Sequence, residues 1–255
     1  MVTLCWAAKG GSGTTVVATA MALSSSKPSL LVDLDGEIPA VLGLAESDRP
    51  GVADWLASSA EPDQLADLLI DIGPRAWLLP WQARPWTTPQ RNDLGGGGAG
   101  GEGRGEGRGD RHGDRSSDAG GGTGGDAVAA RSRWSVLGDW LHDWSDQWGC
   151  DVTVDIGTRP PVEQLRARAD RSLLVTRACY LSLRRAVASS ARPTGIILVD
   201  EPGRGLTRSD IEQVLGVPVE AVVSLDPSVS RAVDAGLLAS RLPRMMTRAL
   251  RQLAA

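Results

Sequence analysis

Two groups of residues have the types and spacing for chemistry. The first is Lys9-Gly10-Gly11-Ser12-Gly13-Thr14-Thr15. Glycines at this density let the backbone curl until successive N–H groups point inward, and a helix starting directly afterwards adds partial positive charge at its N-terminus. That is how a chain cradles phosphate. The whole sequence has two lysines, Lys9 and Lys27, so a lysine kept inside the glycine run is not easily incidental. The second group is a scatter of acids that each lie at or just past the end of a strand-like run: Asp33 and Asp35, Asp155, and Asp200 with Glu201. In open parallel α/β sheets, ligands collect at the carboxyl ends of strands, where all of these acids and the glycine run would lie. The plainer alternatives are that Asp33 and Asp35 cap a following helix and that Asp155 bonds loop amides.

The elements that must position these residues read as alternating strands and helices. Val2 to Ala7 is rich in strand formers, and Thr15 to Leu23 reads as a buried helix. Ser29 to Asp35 is a continuous apolar run ending in two acids, as suits a strand buried on both faces. A turn and short helix follow from Gly36 to Leu44, and helical pieces at Gly51–Leu56 and Asp63–Leu69. Further strands are expected at Ala76–Pro80, Asp151–Gly157, Arg171–Thr176, Gly195–Val199 and Val217–Ser224. Helices are expected at Pro161–Ala169, Leu181–Ser189, Arg208–Leu215, Ser228–Leu237 and Pro243–Leu253. This order implies a mostly parallel central sheet with helices on both faces and right-handed crossovers.

The chain of 255 residues is read as a single domain, 1–255. Residues 94–126 hold 16 of its 31 glycines with almost no apolar side chain, and are expected to be a disordered insertion, because they cannot bury enough surface to offset the entropy of ordering. Acids interleave the arginines there and aromatics are missing, which argues against an RNA-binding arm. The net charge of −4 gives no field that attracts nucleic acid. Cys5, Cys150 and Cys179 are odd in number and widely spaced, and read as small buried residues in a reducing compartment. No signal-like start and no membrane-length apolar run is found, so the expected location is cytoplasmic, with a peripheral contact to membrane or nucleoid left open.

The stretch Ala7 to Thr15 resembles the deviant Walker A motif, K-G-G-x-G-K-S/T, of ParA/MinD-type ATPases. The resemblance spans almost the whole chain outside the insertion. It implies a three-layer α-β-α P-loop NTPase-like fold, ATP and Mg2+ as cofactors, and a homodimer formed across the nucleotide. Lys9 matches the signature lysine that reaches the partner's phosphates, and Gly10, Gly11, Ser12, Gly13, Thr14 and Thr15 the phosphate cradle. Thr15 matches the magnesium-binding hydroxyl, Asp155 the Walker B acid that holds magnesium through water, and Asp33 an acid near phosphates and metal. Asp35 matches the residue that orients the attacking water. Asp200 and the Leu225-Asp226-Pro227 segment fall near the adenine-reading positions. Gly157 follows at the spacing of a switch loop.

One position departs from the motif: Thr14 stands where the second lysine belongs. A hydrogen bond to a charged group contributes about 1.5–3 kcal/mol, so its loss weakens nucleotide binding about ten- to a hundredfold if nothing compensates, and turnover by more. Two function classes follow. One is a nucleotide-dependent dimerising switch with slow hydrolysis, serving partitioning, division-site placement or pilus and secretion assembly. The other is a pseudo-ATPase scaffold that recruits protein partners. A helix with Trp134, Leu137, Trp140, Leu141, Trp144 and Trp148 at three- and four-residue spacings is expected to face the core, with a partner contact as the alternative. The last helix carries Arg241, Arg244, Arg248 and Arg251 and is expected to dock on the domain in preference to binding membrane or DNA.

Overall fold

Every residue of the strands β1 (Val2–Trp6), β2 (Ser29–Asp33) and β5 (Asp151–Asp155) is buried, as befits parallel strands covered on both faces. The computed structural model describes residues 1–45, 47–82, 123–242, 244–251 and 253. Its other strands are β3 (Ile70–Gly73), β4 (Ala76–Leu79), β6 (Arg171–Arg177), β7 (Gly195–Asp200) and β8 (Val219–Ser224). They form one sheet in the order β3-β4-β2-β5-β1-β6-β7-β8. Each neighbouring pair is parallel except β3 with β4. The helices are α1 (Thr14–Ser24), α2 (Ile38–Leu42), α3 (Val52–Ala57), α4 (Thr123–Trp148), α5 (Glu163–Arg166), α6 (Tyr180–Ala188), α7 (Arg208–Leu215), α8 (Pro227–Asp234) and α9 (Arg244–Arg251), with a 3₁₀ helix at Pro62–Leu68.

Side chains alternate across the pleat, and this sorts the core into two layers. Cys5, Leu31, Leu173, Val175 and Ile197 face one way, against α1, α2, α8 and α9. Leu4, Trp6, Leu30, Val32, Val154 and Leu174 face the other, against α3, α4 and α5. Ile196 and Leu198 continue that second face under α6 and α7. The result is the expected three-layer α/β/α arrangement. Helix α1 is built from small residues and buries Val17, Ala18, Thr19, Ala20, Met21 and Ala22, which lets it lie between the sheet and α9.

Several elements differ from the sequence reading. The antiparallel edge strand β3 was not expected; its residues are half-buried or exposed, so they lack the apolar signal of the inner strands, and Asp71 closes its turn by accepting the Gly73 N–H at 3.0 Å. Helix α5 spans 4 residues in place of the expected Pro161–Ala169, because Pro160 and Pro161 delay its start. Cys179 is half-buried at the N-cap of α6, whereas Cys5 and Cys150 are buried.

The tryptophan-bearing helix faces the core as expected. Leu137 and Leu141 are fully buried and Trp140 nearly so. Trp144 stacks between Trp140 and Trp148 at centroid distances of 5.2 and 5.5 Å, while Trp148 remains half-exposed. The last helix also docks: Met246, Leu250 and Leu253 belong to the core that contains α1. Of the glycine-rich stretch 94–126, residues 94–122 lie outside the described residues, and α4 begins at Thr123. Among the described residues, no helix is long and apolar enough to cross a membrane.

Candidate functional site

The connection between β1 and α1, residues 7–13, lies at the carboxyl rim of the sheet. Its shape depends on Gly11 and Gly13, at φ 74° and 86°. That left-handed conformation costs an L-residue about 1–2 kcal/mol. A Cβ at either position would meet nothing within 4 Å, so the requirement is conformational and not one of space. The Ser12 hydroxyl donates to the Lys9 carbonyl at 2.8 Å, and the Lys9 ammonium folds back to donate to the Gly10 carbonyl at 3.1 Å. The Val17 N–H donates to the Gly13 carbonyl at 2.9 Å, closing the first turn of α1. Thr14, the first residue of that helix, is buried.

The acids converge beside this loop. Asp33 and Asp155 end the adjacent strands β2 and β5 and stand opposite one another in the register. Both are fully buried. Asp33 Oδ1 accepts the N–H groups of Asp35 and Gly36 at 3.0 and 2.7 Å, and Oδ2 accepts that of Ile38 at 3.2 Å. Burial raises its pKa, and these amides oppose the rise. The N-cap of α2 is Glu37, without a side-chain cap, so neither acid caps the helix as such; Asp33 instead holds the first N–H of α2 and fixes the turn that carries Asp35.

Asp155 is differently placed. Its Oδ1 accepts the Gly157 N–H at 3.0 Å, but its buried Oδ2 closes no hydrogen bond. Burial, and to a lesser degree the charges of Asp33 and Asp35, push its pKa up to about 7. The Thr15 hydroxyl lies near enough to moderate this rise without completing a bond to Oδ2. A buried carboxyl with one oxygen unpartnered, close to a hydroxyl that follows the glycine loop, fits a hard cation that takes oxygen ligands. Among the described residues no three acids, histidines or cysteines close into a metal cage. Thr15 and Asp155 would thus hold magnesium together with water and phosphate oxygens, the usual mode for this ion.

Asp35 is partly exposed on the rim. Its carboxylate packs so closely over Gly157, at φ 67°, that a Cβ there would overlap it. The Ala7 N–H donates to the Gly157 carbonyl at 2.8 Å, so the glycine loop, Gly157 and Asp35 form one connected unit. Sequence reading missed Arg159, whose guanidinium donates to the Leu34 carbonyl at 2.8 Å and stands 4.0 Å from Asp35. Nothing in type or spacing distinguishes it from the other arginines; only the approach of two strand ends does.

On the other side of the loop, a cleft of about 200 Å3 opens beside Gly13 and is walled by Val16, Arg177, Val199, Leu225 and Asp226. Asp200 and Pro227, the two residues transferred to the base-reading role, do not line it. Asp200 is exposed at the end of β7, and its carbonyl accepts the Leu225 N–H at 2.7 Å; Pro227 opens α8. A larger cleft of about 710 Å3, between α6 and α7, includes Cys179 and Tyr180 but no residue of the glycine loop.

Neither a protein-family profile nor a curated protein sequence matches the chain. Solved structures do. A ParA family ATPase from Chlorobium tepidum TLS is 18% identical and superposes with a TM-score of 0.63, over 99% of this chain and 98% of that one. MinD from Pyrococcus horikoshii OT3, solved with Mg-ADP, is 16% identical with a TM-score of 0.60, over 99% and 93% of the two chains. The ATP complex of a Cyanothece McdA variant is 16% identical with a TM-score of 0.61, over 98% and 95%. At such identities the likeness is one of fold, and the chain has the fold of the ParA/MinD-type P-loop ATPases.

Proposed function

We propose that this chain binds ATP with magnesium, dimerises face to face across the nucleotide, and hydrolyses ATP slowly as a switch for spatial positioning. The observation that carries the reading is the buried Asp155 carboxyl, its Oδ2 unpartnered and the Thr15 hydroxyl close by, beneath the glycine loop. In this reading the amides of Gly10 to Thr15 hold the phosphates, and Thr15 and Asp155 hold magnesium, with Asp33 adding negative charge beside it. Magnesium, when bound, neutralises charge on the transferring phosphoryl group. Asp35, partly exposed and steered by Gly157 and Arg159, orients the attacking water. Lys9 leaves its own loop carbonyl to reach the partner's phosphates, where a desolvated interface strengthens the contact. Asp200 and Pro227 act on the base through their neighbours Val199 and Asp226, which line the cleft.

Thr14 makes turnover slow without removing the binding determinants. The solved relatives include a MinC:MinD complex, which supports a protein partner for the dimer. DNA or membrane contact through the last helix is disfavoured, because its Met246 and Leu250 lie in the core, while Arg248 and Arg251 are exposed.

Purified protein tests this directly, by nucleotide binding and phosphate release alongside Asp35→Ala and Thr14→Lys. The expected outcome is magnesium-dependent ATP binding with slow release, loss of release but not of binding in Asp35→Ala, and faster release in Thr14→Lys. No binding at millimolar ATP sinks the proposal. Binding with no release in wild type or Thr14→Lys replaces the switch by the scaffold.

A further inference from the structure

The motif lacks one cation at Thr14, and the structure offers another from a different element. Strand β6 lies beside β1 on the side opposite β5, in a register that pairs Trp6 with Leu174. Three residues further on, at the end of β6, Arg177 has reached the rim next to the glycine loop. It walls the same cleft as Gly13 and Val16, and among the described residues it is the only cation lining that cleft. Asp226, which caps α8, and Asp234, its last residue, line it too; the carboxylate of Asp226 is engaged in accepting the Ser228 N–H at 2.7 Å.

The guanidinium of Arg177 is under-used. Its Nε is buried without a hydrogen-bond partner, and one of its terminal nitrogens stands 3.8 Å from Glu201 Oε2. That same oxygen is held far more closely by Arg204, at 2.6 and 2.9 Å. Two guanidiniums thus share one carboxylate, and Arg177, which lines the cleft that begins at the phosphate loop, keeps an unsatisfied buried donor. A partly buried, unpaired guanidinium donor is costly without an anion, and its planar fork suits phosphate oxygens.

We infer that Arg177 supplies, from the β6 side of the loop, a cationic contact to the nucleotide's polyphosphate that Thr14 cannot make. This rests on the reading of the loop as a nucleotide site. The metal-side acids of β2 and β5 and the guanidinium of β6 then flank the phosphates from opposite sides. Arg177 acts as a binding residue that substitutes for a missing point charge, and it discriminates ligands by their phosphates rather than by their base.

The test is the affinity of wild type and Arg177→Gln for ATP, ADP and adenosine, with thermal melts to verify folding. Arg177→Gln is expected to bind ATP and ADP about tenfold to a hundredfold more weakly and adenosine as the wild type does. Adding Thr14→Lys in the same chain is expected to recover most of the loss. Glu201→Gln, which leaves Arg177 intact and frees it, is expected to tighten ATP binding several-fold, and it decides the matter if Arg177→Gln does not fold. Unchanged ATP affinity in Arg177→Gln, an equal loss for adenosine, or unchanged or weaker ATP binding in Glu201→Gln overturns the inference. Wild-type protein that binds none of the three ligands overturns the nucleotide reading itself, and the role of Arg177 with it.

Discussion

Asp155→Asn is the most informative single substitution in this protein. The folded state raises the Asp155 pKa from 3.8 to about 7, chiefly by burial. The sign follows from proton binding. Between pH 3.8 and about 7 the folded chain keeps the proton and the unfolded chain has lost it, so stability falls as pH rises through that window and is flat above it. A difference of about three units, at about 1.4 kcal/mol each, removes on the order of 4 kcal/mol in total. About 2–3 kcal/mol of this falls between pH 5 and pH 8. Asparagine is a neutral isostere whose carbonyl can still accept the Gly157 N–H, so the variant escapes the penalty. Denaturant melts of both proteins without nucleotide at pH 5 and pH 8 are the assay. Taking the difference between the two proteins cancels the groups that do not interact with Asp155. The variant's stability relative to wild type is expected to improve by about 2–3 kcal/mol from pH 5 to pH 8. Magnesium with ATP is expected to stabilise wild type by about 2.7 kcal/mol at a hundredfold excess over Kd and the variant by less. A difference that does not change with pH would refute the assignment of a proton to Asp155, and with it the view of this carboxyl as one that awaits a cation.

Two other substitutions probe the same rim. Gly157→Ala forces an L-residue into a left-handed conformation at about 1–2 kcal/mol and drives a methyl into the Asp35 carboxylate; phosphate release is expected to fall at least tenfold while ATP binding persists, and equal release in wild type and variant would contradict the placement of Asp35. Asp33→Ala strands the amides of Asp35, Gly36 and Ile38 and is expected to cost about 2–4 kcal/mol by denaturant melt, with Asp33→Asn milder because one acceptor oxygen survives.

Thr14 changes meaning once the rim is seen whole. Read along the chain it is a motif spoiled at one position. In the fold, the amides of the glycine loop, the Thr15–Asp155 pair and the turn held by Asp33 all lie around it, and a guanidinium stands on the β6 side. The loss of one charge therefore falls on a site with its other parts in place, which is why slow turnover is a more economical reading than an inert scaffold.

Much of this molecule was legible in the sequence because its signals are local. The glycine run could only be a tight loop between strand and helix, since Gly11 and Gly13 use backbone angles that other residues avoid. The strand before Asp33 announces itself by an apolar run and that before Asp155 by its valines and threonine, and the two acids were marked by ending them. The edge strand β3 and the short α5 were not legible, because a half-exposed edge has no apolar pattern and paired prolines shift a helix start.

What only the tertiary structure decided is adjacency. Strand order brings β2, β5 and β1 side by side although about 120 residues separate Asp33 from Asp155. Arg159 and Arg177 are two arginines of no distinction in the sequence. Folding sets them apart, because one approaches Asp35 across a strand end and the other stands in a cleft with a buried donor unpaired. Residue type and local spacing fix which groups are capable of chemistry. Burial, and the charges that folding places around them, fix the protonation and orientation in which they can perform it.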